Sequence, residues 1–157
     1  MDKKQGFTIR RAVISDVREI QSLINRFARK ELMLPKSLNE IYENLRDYYV
    51  CRASSGAMLG VCALHILWED LAEIRSLAVT ERAQKHGIGK KLVSRCLKEA
   101  RALGLKKVFV LTYSREFFQR MGFKEIEKST LPQKIWSDCL KCHKFPDCDE
   151  FALIKEL

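Results

Sequence analysis

Apolar residues recur along this chain at two different periods, and the switches between them mark out its elements. Phe7 to Arg11 reads as a first strand. Val17, Ile20, Leu23, Ile24 and Phe27 then follow the three-and-four spacing of one helix face, with Ser15-Asp16 as N-cap, Glu19 in the first turn and an end near Lys30. Ser37-Leu-Asn-Glu40 is a capping box, and Leu38, Ile41, Tyr42 and Leu45 form a second apolar stripe behind it. A short Pro-marked loop, Glu31 to Ser37, joins the two helices. Tyr48 to Ala53 and Ala57 to Leu67 read as strands around Ser54-Ser55-Gly56, where glycine is available for positive φ, and together predict a hairpin.

Leu71 to Val79 continues as a strand and runs into Gln84-Lys-His-Gly-Ile-Gly89. A long helix from Gly87 through Leu103 follows, with Ile88, Leu92, Val93, Cys96, Leu97 and Ala100 on one face and Gly104 as its stop signal. Lys107 to Thr112 is nearly continuously apolar, as expected of a strand buried on both faces after a crossover helix. Ser114 to Met121 predicts a short helix closed by Gly122. A Cys-rich irregular segment runs from Leu131 to Asp149, and Phe151 to Ile154 is expected to add an edge strand. No repeat, linker or composition shift interrupts this order. It predicts a single α/β domain over residues 1–157, a twisted mixed sheet flanked by helices.

Composition narrows the setting. A chain of 157 residues can bury roughly 68–70% of its unfolded surface, so its six cysteines are not needed as staples. The longest apolar run, Met58 to Trp68, is broken by Gly60 and His65 and falls short of the roughly 20 residues that span a bilayer. Residues 1–6 are polar and lack the apolar segment of a signal peptide, which predicts a cytoplasmic location with reduced thiols and no membrane partner. Net charge is +9, from 29 Lys and Arg against 20 Asp and Glu, which suits anionic ligands or merely a solvated surface. Lys85, Lys90, Lys91, Arg95, Lys98 and Arg101 cluster in and after the glycine loop. A nucleic-acid module would want aromatic stacking patterns or paired zinc knuckles, and the sequence has neither.

Two glycines separated by one residue let a backbone turn tightly with its N–H groups converging, and the helix behind them adds the positive end of its dipole. A phosphate-bearing ligand belongs there. Gln84-x-x-Gly87-x-Gly89 at the strand-to-helix junction, followed after the next strand by Phe117-Phe-Gln-Arg-Met-Gly-Phe123, resembles the GNAT family of N-acetyltransferases over nearly the whole chain. The resemblance implies the acyl-CoA N-acyltransferase fold and a loop that holds the pyrophosphate of acetyl-coenzyme A through backbone amides. Gln84, Lys85, His86, Gly87, Ile88, Gly89 and Lys90 would make that loop. It implies further that the preceding strand splays at a bulge near Leu77, Ala78 and Val79 and pairs with the pantetheine arm. Phe118, also in the cofactor set, stands where the family often carries a tyrosine that protonates the leaving thiolate.

A narrower resemblance lies in Leu32 to Ser37, Ala72 to Val79, Phe109 to Tyr113 and Leu131 to Trp136. These stretches are similar to the acetyltransferase domains of the N-acetylglutamate synthases, which open arginine biosynthesis. They imply L-glutamate as acceptor and a short, stand-alone form, which could be a homodimer. Other readings stay open: an acetyltransferase for another small amine or a protein N-terminus, and a non-catalytic acetyl-coenzyme A module.

Attack by an amine on a thioester needs the neutral nitrogen, and an α-amino group with pKa about 8 is only roughly one-tenth neutral at pH 7. Glu73 is the candidate general base, directly or through water; the alternative is an outward carboxylate paired with Arg75. Period-two alternation puts Glu73, Arg75, Leu77 and Val79 on one face. Tyr113 is the candidate general acid, with Ser114 beside it. Two acceptor carboxylates call for cations, and Lys36, Arg75 and Lys134 are the candidates, while Arg26 and Arg29 read as solvated helix charges. Cys139, Cys142 and Cys148 have a spacing that could hold metal, line a packed loop or form a redox disulfide, and the chemistry itself requires no metal. Cys51, Cys62 and Cys96 fall on apolar faces, His65 reads as a satisfied strand histidine and His86 as solvated.

Overall fold

The computed structural model describes residues 6–131 and 150–157. Among these residues, seven strands form one sheet: β1 (Phe7–Arg11), β2 (Tyr48–Ala53), β3 (Met58–Trp68), β4 (Leu71–Val79), β5 (Lys107–Thr112), β6 (Lys124–Ile126) and β7 (Phe151–Glu156). They lie in the order β1-β2-β3-β4-β5-β7-β6. Neighbours are antiparallel except β4 and β5, which a helical crossover makes parallel. Helices α1 (Val17–Ala28) and α2 (Leu38–Glu43) cover one face; α3 (Ile88–Ala102) and α4 (Arg115–Arg120) lie against the other. Each face owns a core. Leu92, Val93, Cys96 and Leu97 of α3 bury Cys62, Leu64, Ile74 and Val108, whereas Val17, Ile20, Ile24 and Phe27 of α1 bury Val50, Val61 and Ala63.

Most expected elements are present, and four details differ. β7 is internal, because the three residues of β6 pair with its outer side at Lys124↔Ile154 through Ile126↔Ala152. So short a strand has no periodicity to announce it. Tyr42 is half exposed and leaves the α2 stripe, and Leu45 packs from beyond the helix, which ends at Glu43. Asp16 does not cap α1: its carboxylate accepts the Val13 N–H at 2.8 Å, at the head of a 3-10 turn over Ile14–Asp16. It also receives Arg10 through both guanidinium nitrogens at 2.7 and 3.0 Å and Arg52 at 2.6 Å. Asp16 is fully buried there, joining β1, β2 and the start of α1. Burial alone would push its pKa up, yet the bonds from Arg10, Arg52 and Val13 outweigh it and hold the carboxyl well below the usual carboxylate range.

The fourth difference shapes the site. On β3, Ala63 pairs with Arg75 and Val61 with Ala78, so one residue of β3, Cys62, is matched by two of β4, Ser76 and Leu77. The extra residue is accommodated at Ser76, whose φ is 56°, one position ahead of the expected bulge. A bulge reverses the faces beyond it. Arg75 therefore shares the side of Ala63 and α1, and so does Glu73, while Leu77 and Val79 turn to the α3 side with Ala72 and Ile74. Simple alternation had all four odd positions together. The Tyr48 hydroxyl, hydrogen-bonded with the Ser76 side chain, is pushed up to about 12, chiefly by burial, so it stays protonated beside the bulge.

α3 rests on β3 at Gly60, where a Cβ would stand 3.0 Å from Leu92 Cδ1, 3.2 Å from the Ala78 carbonyl oxygen and 3.3 Å from Ile88 Cγ2. Gly60→Val is expected to destabilise the fold by about 2 kcal/mol, read from the urea midpoint, because α3 must be lifted to admit two methyl groups. An unchanged midpoint would show that the helix yields freely.

Candidate active site

β4 pairs with β5 only from Leu71↔Lys107 to Ile74↔Val110, whereas β5 keeps its pairing with β7 as far as Thr112↔Phe151. Past Ile74 the two parallel strands part, so that among the described residues one edge of Ser76 to Val79 has no strand beside it. A cavity of about 650 Å³ occupies the opening. Its walls are the splayed end of β4, the loop from Gln84 into α3, the end of β5 with α4, and the α1–α2 loop. An extended amide-bearing ligand could add itself to the free strand edge.

The loop has the expected anion-binding shape. The Gln84 side chain donates to the Val79 carbonyl at 2.9 Å and ties the loop to the end of β4. Lys85 and Gly87 both take positive φ, 67° and 81°, which directs the chain straight into α3. Gly87 is the N-cap in left-handed conformation, where a side chain would be strained. Helical bonding starts with the Lys91 N–H on the Gly87 carbonyl at 3.1 Å, so the N–H groups of Ile88, Gly89 and Lys90 lie at the open end of the dipole, on the cavity wall. Gly89 is close to Phe117, whose ring a Cβ would meet at 3.5 Å. A pyrophosphate fits these donors.

Of the residues singled out from sequence, Leu77, Ala78, Val79, Gln84, Lys85, Gly87, Ile88, Gly89, Lys90 and Phe118 all line this cavity. So do Glu73, Arg75, Lys36 and Tyr113. His86 is exposed and does not line it. Lys134, Cys139, Cys142 and Cys148 lie outside the described residues; among those described, no group of three His, Cys, Asp or Glu could hold a metal. Cys51, Cys62 and Cys96 are buried, and the Cys62 thiol, 3.7 Å from that of Cys96, is pushed well up by their hydrogen bond and by burial. No helix among the described residues is long and apolar enough to cross a membrane.

Glu73 is 8% exposed and accepts the Arg75 Nε–H at 2.6 Å, a charge-assisted bond between neighbours on one strand face. His65, directly across β3 from Glu73, is satisfied by Asp47 through Nδ1 at 2.6 Å. Phe118 is buried edge-to-face between Phe117 and Phe123, with ring centroids 5.0 and 5.2 Å away, and brings no proton to the cavity. Tyr113 and Ser114 follow the end of β5 on the cavity wall and carry hydroxyls. Sequence reasoning missed Arg120 and Glu150, which also line the cavity. Arg120 sits inside the Phe117–Phe123 motif, where its charge gave no hint beyond an ordinary helix surface.

Relatives agree with this geometry. The sequence pattern described as the Acetyltransferase (GNAT) family matches residues 14–123. An uncharacterized N-acetyltransferase of Chlorobaculum tepidum is 42% identical over 149 residues, which cover 95% of this chain and 96% of that one. The amino-acid acetyltransferase of Mycobacterium tuberculosis is 40% identical over 137 residues, 86% of this chain and 78% of that protein. Among solved structures, N-acetylglutamate synthase from Neisseria gonorrhoeae, complexed with coenzyme A and N-acetyl-glutamate, superposes with a TM-score of 0.88 at 25% identity, over 99% of this chain and 36% of that one. Parted parallel strands, a glycine loop opening a helix, and a family pattern over most of the sequence have one explanation: the chain belongs to the acetyltransferase (GNAT) family, whose acetyl donor is acetyl-coenzyme A.

Proposed function

We propose that this protein acetylates the α-amino group of L-glutamate, the opening step of arginine biosynthesis, by direct attack in a ternary complex. One observation carries the reading: Glu73, Arg75 and Lys36 line the same cavity as the donor loop, so a carboxylate, a base and a thioester can meet in one enclosed space. The amino-acid acetyltransferase and N-acetylglutamate synthase relatives support it.

Acetyl-coenzyme A supplies an activated acyl group, and the residues of this chain supply position and protons. The N–H groups of Ile88, Gly89 and Lys90 hold the pyrophosphate, and the splayed end of β4 from Ser76 to Val79 aligns the arm. Lys36 and Arg75 take acceptor carboxylates, Arg75 while still bonded to Glu73 through Nε. Glu73 accepts the proton of the acceptor ammonium, and the Tyr113 hydroxyl, on the cavity wall, returns one to the departing thiolate. A thiol with pKa near 8.5 leaves fairly well unaided, so a silent Phe118 does not forbid turnover.

Thiol release from acetyl-coenzyme A, followed with L-glutamate, L-glutamine, L-aspartate and a panel of peptides, tests the reading. The highest kcat/KM is expected with glutamate; no turnover of glutamate sinks it. Lys36→Ala is expected to raise the acceptor KM about tenfold, the loss of one charged hydrogen bond, with the acetyl-coenzyme A KM unchanged. An unchanged acceptor KM would remove Lys36 from the site.

A further inference from the structure

Residues 29–37, between α1 and α2, are largely exposed, with only Met33, Leu34 and Lys36 sheltered from solvent. Within this loop the backbone of Lys36 is held from two directions. Its N–H donates to Asn25 Oδ1 at 3.0 Å, and its carbonyl accepts from Asn25 Nδ2 at 3.3 Å and from Gln21 Nε2 at 3.2 Å. Asn25 and Gln21 are one turn apart on α1 and neither lines the cavity. The next residue, Ser37, is locked in the α2 capping box, its Oγ accepting the Glu40 N–H at 3.1 Å. The Lys36 side chain, only 13% exposed, is thus delivered to the cavity wall from a fixed backbone, with Glu40 Oε2 3.9 Å away.

Donating to a carbonyl and accepting from an N–H of the same residue is what a carboxamide can do and a carboxylate or hydrocarbon cannot. We propose that Asn25, assisted by Gln21, is a positioning residue for acceptor recognition: it acts through Lys36, fixing the ammonium where the amino-acid carboxylate binds. The proposal rests on Lys36 being a carboxylate partner, as argued above. Without the clamp, Lys36 must be ordered by the acceptor itself, and that ordering cost appears in the acceptor KM.

Steady-state kinetics on Asn25→Leu, Lys36→Ala and the double variant test it, using whichever amino acid of the panel above gives the highest kcat/KM. Asn25→Leu is expected to raise the acceptor KM about fivefold, the effect of two modest hydrogen bonds, with kcat and the acetyl-coenzyme A KM within twofold. Gln21→Leu, which removes one bond to the same carbonyl, should give a smaller rise and stands in if Asn25→Leu does not fold. In the Lys36→Ala background the Asn25→Leu rise should vanish, because the residue acts only through Lys36. If Lys36→Ala itself leaves the acceptor KM unchanged, the reading of Lys36 is wrong. If Lys36→Ala raises it while neither α1 variant does, or if the effects multiply in the double variant, the positioning role is overturned.

Discussion

Glu73→Gln is expected to lower kcat about 10²-fold while leaving the KM for acetyl-coenzyme A nearly unchanged. Glutamine keeps the volume and an oxygen for the Arg75 Nε–H, now 2.6 Å from the carboxylate, so the strand face survives. What it loses is the capacity to accept a proton. At neutral pH the amine is mostly protonated, and deprotonation then falls to water. Raising the pH supplies the neutral amine from solution, so the deficit of the variant should narrow on the alkaline side. Measuring kcat between pH 6 and pH 10 decides the matter, and a variant within threefold of the parent at pH 7 would leave Glu73 as merely the partner of Arg75.

Asp16→Asn should cost about 3 kcal/mol of stability at pH 7, because a fully buried carboxylate that takes charge-assisted bonds from Arg10 and Arg52 becomes a neutral amide with a donor end turned toward a guanidinium. The same carboxylate sets part of the acid response. Its folded pKa is depressed, so its contribution is complete at pH values above the unfolded value near 3.9 and drains away as pH falls toward the folded one. Urea midpoints at pH 7, 4 and 3 should fall more steeply for the parent than for the variant. Parallel curves would mean that Asp16 titrates alike in both states.

Long periodic segments made the fold legible. The stripe from Val17 to Phe27 and that from Ile88 to Ala100 are the buried faces of α1 and α3, and the apolar run at Val108 to Val110 is the doubly covered β5. The donor loop was legible because positive φ at a strand-to-helix turn favours glycine, as at Gly87, although Lys85 takes it too. Three features were not. β6 is too short to have a period, and its presence moves β7 inward. The carboxylate of Asp16 seeks arginines 6 and 36 residues away, which no local rule foresees. The bulge hides behind an ordinary serine, for alternation assumes an unbroken ladder, and Ser76 adopts positive φ where sequence expects glycine. The hold on the Lys36 backbone was equally hidden, since it comes from amides on another element.

That bulge gives β4 two inheritances along one backbone. Before Ser76 the odd positions 73 and 75 face the α1 side, where the proposed acceptor chemistry lies; after it Leu77 and Val79 pack toward α3. Because the two groups point away from each other, substitutions at 73 and 75 can accumulate without disturbing the wall formed by Leu77 and Val79. Deleting Ser76 would leave those faces as they are, because Arg75, Leu77, Ala78 and Val79 would then alternate as a regular ladder opposite Ala63, Cys62, Val61 and Gly60, and only the positive-φ kink would be lost.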